Sequence, residues 1–336
     1  MRVFSRLATP FFMLFLLWEY PIYAGERDFR FVVIGDTRGS DNGVNSTILS
    51  EMAAVVISEG AELVMVTGDL TNDGLQAELE YWRQLFWEPL EAAGIAVYSV
   101  RGNHDARNSH WNTVFSGPYA LPGDGPPGEI NKTYSLTHKN ALFVGLDTHI
   151  AGRVFQVNQT WLDGVFRANV APHVFVFGHA PAFSVQHADC LDDYPDQRDA
   201  FWNSIGRADG RVYFAGHDHF YNRARIKDSM GVWIHQYVVG SGGAPLVDWS
   251  GEYGDSSVEG LAHFKEFGYV VGDVNGYEVT LTFKQRTGEG AYEATSDVFS
   301  YDAAPPKLVP LAPIALWFIV FLCVSVLVWH SFGLRI

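Results

Sequence analysis

The chain has 336 residues, enough for one large domain or two small ones, and nearly half are hydrophobic, so a sizeable core can form. Its formal net charge is −15, and Arg2, Arg6 and Arg335 lie in the terminal segments, so the middle is acidic too. That surface has no basic stripe and repels nucleic acid and anionic membranes, which argues against a nucleic-acid-binding or nucleic-acid-cleaving protein. An anionic substrate would need local positive charge, which bound metal ions can supply. Cys190 and Cys323 are the two cysteines, and Cys323 lies in an apolar tail, so no disulfide framework is expected.

From the N-terminus, "MRVFSRLATPFFMLFLLWEYPIYAGERD" has Arg2 and Arg6, an apolar run through Trp18, and Tyr23-Ala24-Gly25. This is the layout of a secretory signal, residues 1–24, cleaved after Ala24. The apolar run is short for an uncleaved membrane span. A buried strand is predicted from Phe29 to Ile34, ending in Gly35-Asp36. A helix follows in "NSTILSEMAAVVISEG", stopped by Gly60. "AELVMVTGDLTNDG" is a second strand, ending in Gly68-Asp69. "QAELEYWRQLFWEPLEAAG" is a second helix, interrupted or ended near Pro89. "IAVYSVRGNHDARN" is a third strand, ending in Gly102-Asn103-His104-Asp105. This alternation predicts βαβ units and a parallel sheet, whose strand C-termini hold the ligand.

Beyond a Gly/Pro-rich loop, "KTYSLTHKNALFVGLDTH" reads as two strands joined at Lys139-Asn140, and "NQTWLDGVFRANV" as a short helix. "HVFVFGHAPAFS" is a strand ending in Gly178-His179. "HADCLDDYPDQRD" reads as an acidic, loop-like insertion. "VYFAGHDHFY" is a strand ending in Gly216-His217-Asp218-His219, where the two histidines at i and i+2 point the same way. Strands follow from Val232 to Tyr301. One domain, 27–301, is expected, then a linker, 302–307, and an apolar anchor, 308–330, with no internal charge and long enough to span a bilayer. Arg335 beyond it fits a cytoplasmic C-terminus. The two ends together predict an exported domain tethered to a membrane on its extracytoplasmic side, periplasmic or at the cell surface. Sequons occur at Asn45, Asn131 and Asn158.

Five clusters thus stand at strand ends, each with a glycine that permits a tight turn. Together they offer oxygens and imidazole nitrogens, a mixed set suited to Zn, Mn or Fe and poorly suited to Ca or Mg. An aspartate can bridge two cations, and a metal pair can hold a phosphate and activate a water.

The order GD…GD…GNHD…GH…GHDH resembles the calcineurin-like metallophosphoesterases. "GHDHFYNR" is similar to the last block of the purple acid phosphatases, and "YVVGSGGAP" fits the glycine-rich strand after it. The resemblance implies an α/β fold, a four-layer α/β/β/α sandwich of two central sheets flanked by helices. It implies hydrolysis of phosphomonoesters, phosphodiesters or pyrophosphate bonds with two transition-metal ions (Fe, Mn or Zn). Carried over, Asp36 and His219 bind the first metal, Asp69 bridges, and Asn103, His179 and His217 bind the second. Asn103 also faces the substrate. His104 hydrogen-bonds the phosphate or protonates the leaving group, and Asp105 orients its ring.

The chain departs from the pattern in its first block. Where the family has Asp-x-His, this sequence has Asp36-Thr37-Arg38, and arginine cannot ligate a metal. The tyrosine of the purple phosphatases is replaced by Gly39, so no iron-tyrosinate colour is expected. Asp36, Asp69 and His219 would leave a weaker first site, completed by water. Arg38 either clamps a substrate phosphate or pairs with a carboxylate such as Asp73. His110, His138, His149, His173 and His187 read as surface or core residues, Asp189, Asp192 and Asp193 as a solvated acidic loop, and Asp147 as a structural residue. His235, within a strand, is expected behind the metal ligands. A phosphate-ester hydrolase is the leading reading. The alternative is a catalytically silent receptor or scaffold, in which Arg38 fills one metal position with its own charge. The oligomeric state is left open.

Overall fold

The computed structural model describes residues 28–303. The expected signal, 1–24, the anchor, 308–330, and most of the linker, 302–307, lie outside the described residues. No helix among the described residues is long and apolar enough to cross a membrane.

The chain runs β1 (Phe29–Ile34), β2 (Arg38–Asp41), α1 (Ser46–Glu59), β3 (Leu63–Val66), α2 (Gln76–Trp82), α3 (Glu88–Ala92), β4 (Ala96–Ser99) and α4 (Asn108–Val114). It continues through β5 (Tyr134–His138), β6 (Ala141–Leu146), α5 (Gln159–Ala168), β7 (His173–Gly178), α6 (Pro195–Arg207) and β8 (Val212–Ala215). It closes with β9 (Tyr221–Lys227), β10 (Trp233–Val239), β11 (Glu259–Phe264), β12 (Gly268–Asn275), β13 (Glu278–Gly288) and β14 (Ala291–Asp302). Asn45 caps α1 by accepting from Ile48 N–H, and Gly60 ends it at φ +68°. The break expected near Pro89 is a π-helical turn, Arg83–Trp87, between α2 and α3. Proline has no N–H to return to the preceding turn, so the helix rewinds there.

Two sheets form, with strand orders β14-β13-β12-β1-β3-β4 and β11-β9-β10-β8-β7-β6-β5. Only part of each is the parallel sheet expected: β1, β3 and β4 on one side of the first, and β6, β7, β8 and β10 at the centre of the second. Antiparallel strands complete both edges of the second sheet and one edge of the first. The inner faces meet through aromatic side chains. Phe31 packs 4.8 Å from Phe175 and 5.6 Å from Phe143, ring centre to ring centre. Alternation sorts the strands: Phe175, Phe177, Val212 and Phe214 face inward, while Val174, Val176, Tyr213 and Ala215 pack with Phe201, Trp202 and Ile205 of α6.

The acidic stretch 187–199 is not all loop. Pro195 begins α6 with Asp196 in its first turn, where a missing N–H costs nothing and negative charge is favourable. The apolar face that fixes this helix comes only after that stretch.

Candidate metal centre

The turns after β1, β3, β7, β8 and β10 are bonded to one another. Asp36 N–H donates to Gly68 O, Thr37 N–H to Asp69 O, Gly216 N–H to His179 O and Gly242 N–H to Gly35 O. These bonds seat the strand ends of both sheets on one edge. Asp36, Asp69 and His217 hold positive φ (55°, 51° and 75°), a strained backbone for side-chain-bearing residues. Glycine is required beside them. A Cβ on Gly102 would stand 2.0 Å from Asp69 Oδ1, and one on Gly216 2.3 Å from Asp36 Oδ2.

The structure brings Asp69, Asn103, His179 and His217 together. Asn103 Oδ1 lies 2.9 Å from His179 Nε2 and 3.2 Å from His217 Nδ1. Asp69 Oδ1 lies 3.5 Å from His179 Nε2. His179 Nδ1 donates to Thr67 O at 2.9 Å, so Nε2 presents a bare lone pair to two oxygens. Burial, with His217 and His149 nearby, holds His179 well below the usual imidazole range and keeps a second proton off it. Electron pairs therefore converge with no proton between them, and a cation answers that arrangement. Asp36, Asp69 and His179 form a group with donor atoms within 4.8 Å of one another. Burial and the Asp69 charge push Asp36 well up, and burial raises Asp69, so both buried carboxylates favour a nearby cation.

The first position is different. His217 N–H donates to both oxygens of Asp36, at 3.1 and 3.0 Å. His219 Nδ1 donates to Pro245 O at 3.1 Å, leaving Nε2 free, 3.7 Å from Asp36 Oδ1. Burial and then Arg38 push His219 down to about 4. Arg38 does not pair with Asp73. Its Nε lies 3.5 Å from Asp69 Oδ2, its Nη2 3.4 Å from His219 Nε2, and its Nη1 donates to Asn72 Oδ1 at 3.2 Å. His219 is outside the group that Asp36 and Asp69 form. Arg38 thus faces two of the three donors expected for a first ion, Asp69 and His219, while the third, Asp36, accepts the His217 N–H and groups with Asp69 and His179.

His104 sits beside Asp69: its N–H donates to Asp69 Oδ1 at 3.0 Å, and its Nε2 lies 3.9 Å from Oδ2. Asp105 does not orient this ring. Its buried carboxylate accepts the N–H groups of Leu70, Thr71 and Gly102, at 3.0, 3.2 and 3.1 Å. The Asn72 carbonyl takes the His104 ring instead, 2.5 Å from Nδ1. The reason is geometric: Asp105 turns back under the β3 loop, and Asn72 comes over it.

His187 and Asp218 escaped the sequence reading. His187 Nδ1 lies 2.7 Å from Asp218 Oδ1, and its ring lies 4.6 Å from that of His217. Asp218 also accepts the Gln186 and His187 N–H groups, tying that loop to the site. Its place between His217 and His219 was the available signal. His149, buried, stands 5.4 Å from His179, ring to ring, and Asp189 Oδ1 lies 3.5 Å from His217 Nε2. Asp147 is structural as expected, paired with buried Arg101 at 2.6 Å. His235 is not behind the ligands. It lies at the start of β10, away from Gly240, stacked on Phe299 at 3.8 Å.

A family model described as calcineurin-like phosphoesterase matches residues 29–221. No curated protein matches. Among solved structures, purple acid phosphatase PPD1 from yellow lupin (Lupinus luteus) seeds aligns at TM-score 0.62 and 16% identity, over 83% of this chain and 54% of that one. This chain thus spans about half the length of the lupin protein. PhoD aligns at TM-score 0.61 and 14% identity, over 84% and 71%, and GAP50 of Plasmodium at 0.57 and 16%, over 88% and 95%. At such identities the structures speak for the fold alone. The family match covers more than half of the sequence and all the strand-end clusters up to His219, and the chain belongs to the calcineurin-like phosphoesterase family.

Proposed function

We propose that the chain hydrolyses phosphate esters at a metal centre held by Asp69, Asn103, His179 and His217. One observation carries this reading: the Asn103 oxygen stands 2.9 Å from the unprotonated Nε2 of His179, with Asp69 alongside. When bound, a transition-metal ion there supplies positive charge to phosphoryl oxygens and acidity to a water molecule. His104, anchored at Nδ1 by Asn72, is free at Nε2 to hydrogen-bond a phosphoryl oxygen or to pass a proton to the leaving group. Arg38 and Asn72 line a cleft of about 430 Å³ with Asp41, Pro245 and Phe267. A substrate in it meets guanidinium charge at one wall and a phenyl ring at another.

The test is turnover of p-nitrophenyl phosphate and bis(p-nitrophenyl) phosphate by protein loaded with Mn, Zn or Fe. Hydrolysis slowed by about 10²–10⁴ in His104→Ala, with metal content unchanged, is expected. No turnover of either ester with any of the three metals refutes the reading. It would favour the second one, a silent scaffold that keeps the fold. Arg38 beside Asp69 is the observation behind that alternative, and GAP50, which has this fold, is described as an anchor in the inner membrane complex of Plasmodium.

We also propose that the domain is exported and tethered through residues 308–330, on the strength of the two apolar ends of the sequence. Recovery of the full-length protein in a soluble cell fraction would refute the tether.

A further inference from the structure

We propose that Arg38 is a built-in cation that takes the place of the first metal, so that the chain binds one ion where the family resemblance implies two. This rests on the metal-centre reading above. Three contacts aim the guanidinium. Its Nη2 donates toward His219 Nε2, whose lone pair is free because Nδ1 is spent on Pro245 O. Its Nε is buried with no hydrogen-bond partner and stands 3.5 Å from Asp69 Oδ2. Its Nη1 is held by Asn72, whose backbone carbonyl also holds His104.

Two of the three donors that would hold a first ion, Asp69 Oδ2 and His219 Nε2, are thus already answered by fixed positive charge. An ion bound by carboxylate and imidazole stands within about 2.2 Å of each donor atom. Asp36 and Asp69 do not gather His219 into such a group; the group they form includes His179. The backbone keeps Arg38 in place. Residue 38 bridges Val44, and a Cβ on Gly39 would come 2.6 Å from Asn45 N, so the chain here packs against the start of α1. A guanidinium is always charged and planar, so it can offer two parallel N–H groups to a phosphoryl group and needs no metal loading to do so. The Asp69 carboxylate, expected to bridge two metals, instead faces a metal position on one side and an arginine on the other.

The experiment counts metals and does not depend on turnover. Full-length protein in detergent is loaded with Mn(II), desalted, and assayed by elemental analysis and by electron paramagnetic resonance. One Mn per chain with an isolated-ion six-line spectrum is expected. Arg38→His should raise the count to two and give the broadened spectrum of an interacting pair, and adding His219→Ala should return it to one. Circular dichroism checks that each variant is folded. Two ions in the parent protein overturn the inference and leave the hydrolase reading standing. No ion in the parent overturns both. A folded Arg38→His that still binds one ion also overturns it. If Arg38→His does not fold, the parent count and spectrum decide alone.

Discussion

Asp105→Ala separates two roles for one carboxylate. The carboxylate is fully buried and accepts three backbone N–H groups, two after β3 (Leu70, Thr71) and one after β4 (Gly102). Alanine leaves all three donors in the interior without partners. Each such loss costs about 1–3 kcal/mol, and local relaxation keeps the sum near about 4 kcal/mol. For a domain of this size that is a fall in Tm of roughly 8–16 °C. Asp105→Asn keeps one oxygen but turns an NH₂ group toward a backbone donor, so about half the loss is expected. The assay is thermal unfolding followed by circular dichroism, paired with ester turnover at a temperature where all variants are folded. Asp105→Asn should keep much of the parent turnover, because the His104 ring is held by Asn72 and not by Asp105. If Asp105→Ala leaves Tm unchanged and lowers turnover as far as His104→Ala does, the carboxylate acts on the ring and the argument is wrong.

Further outcomes follow from the same contacts. His104→Ala should lower kcat by about 10²–10⁴ without changing metal content, the loss typical of a removed proton donor, checked by steady-state kinetics and elemental analysis. Asp297→Ala should cost about 3–5 kcal/mol in urea unfolding, because it strands the buried Arg223 and the Tyr221 hydroxyl that it now holds. His235 is pushed down to about 3 by burial, then by Arg223 and Arg225. Its contribution is present above the ordinary imidazole value and lost as pH falls toward that lower value. His235→Gln should therefore lose about 2–3 kcal/mol less than the parent between pH 7 and 4.5, read by urea titration. The sequon asparagines Asn45, Asn131 and Asn158 spend their amide nitrogens on Gly243 O, Phe115 O and Glu129 Oε1. Intact mass of protein from a glycosylating host should show no glycan at these three sites.

The parallel strands β1, β3, β7 and β8 were legible because each is a short apolar run closed by glycine and a polar residue, and burial on both faces leaves no other reading. The same pattern located the candidate ligands, since an aspartate two or three residues past a buried strand, as Asp36 and Asp69 are, stands on the sheet's edge. Contacts across that edge were not legible. Arg38 meets Asn72 across 34 residues, Asp105 meets Leu70 across 35, and His187 meets Asp218 across 31. The sequence offered other partners, Asp73 by its charge for Arg38 and the adjacent His104 for Asp105, and loop packing chose others. The antiparallel edge strands were equally hidden, because an apolar run does not state its direction. Position 38 shows what such a pattern leaves undecided. Histidine or arginine there would follow the same β1 strand and the same Gly-Asp turn. Whether that residue holds an ion or replaces one depends on where the side chain lands. Here it lands between Asp69 and His219, where the proposal above gives it the place of an ion, while the strands beneath it follow the same pattern.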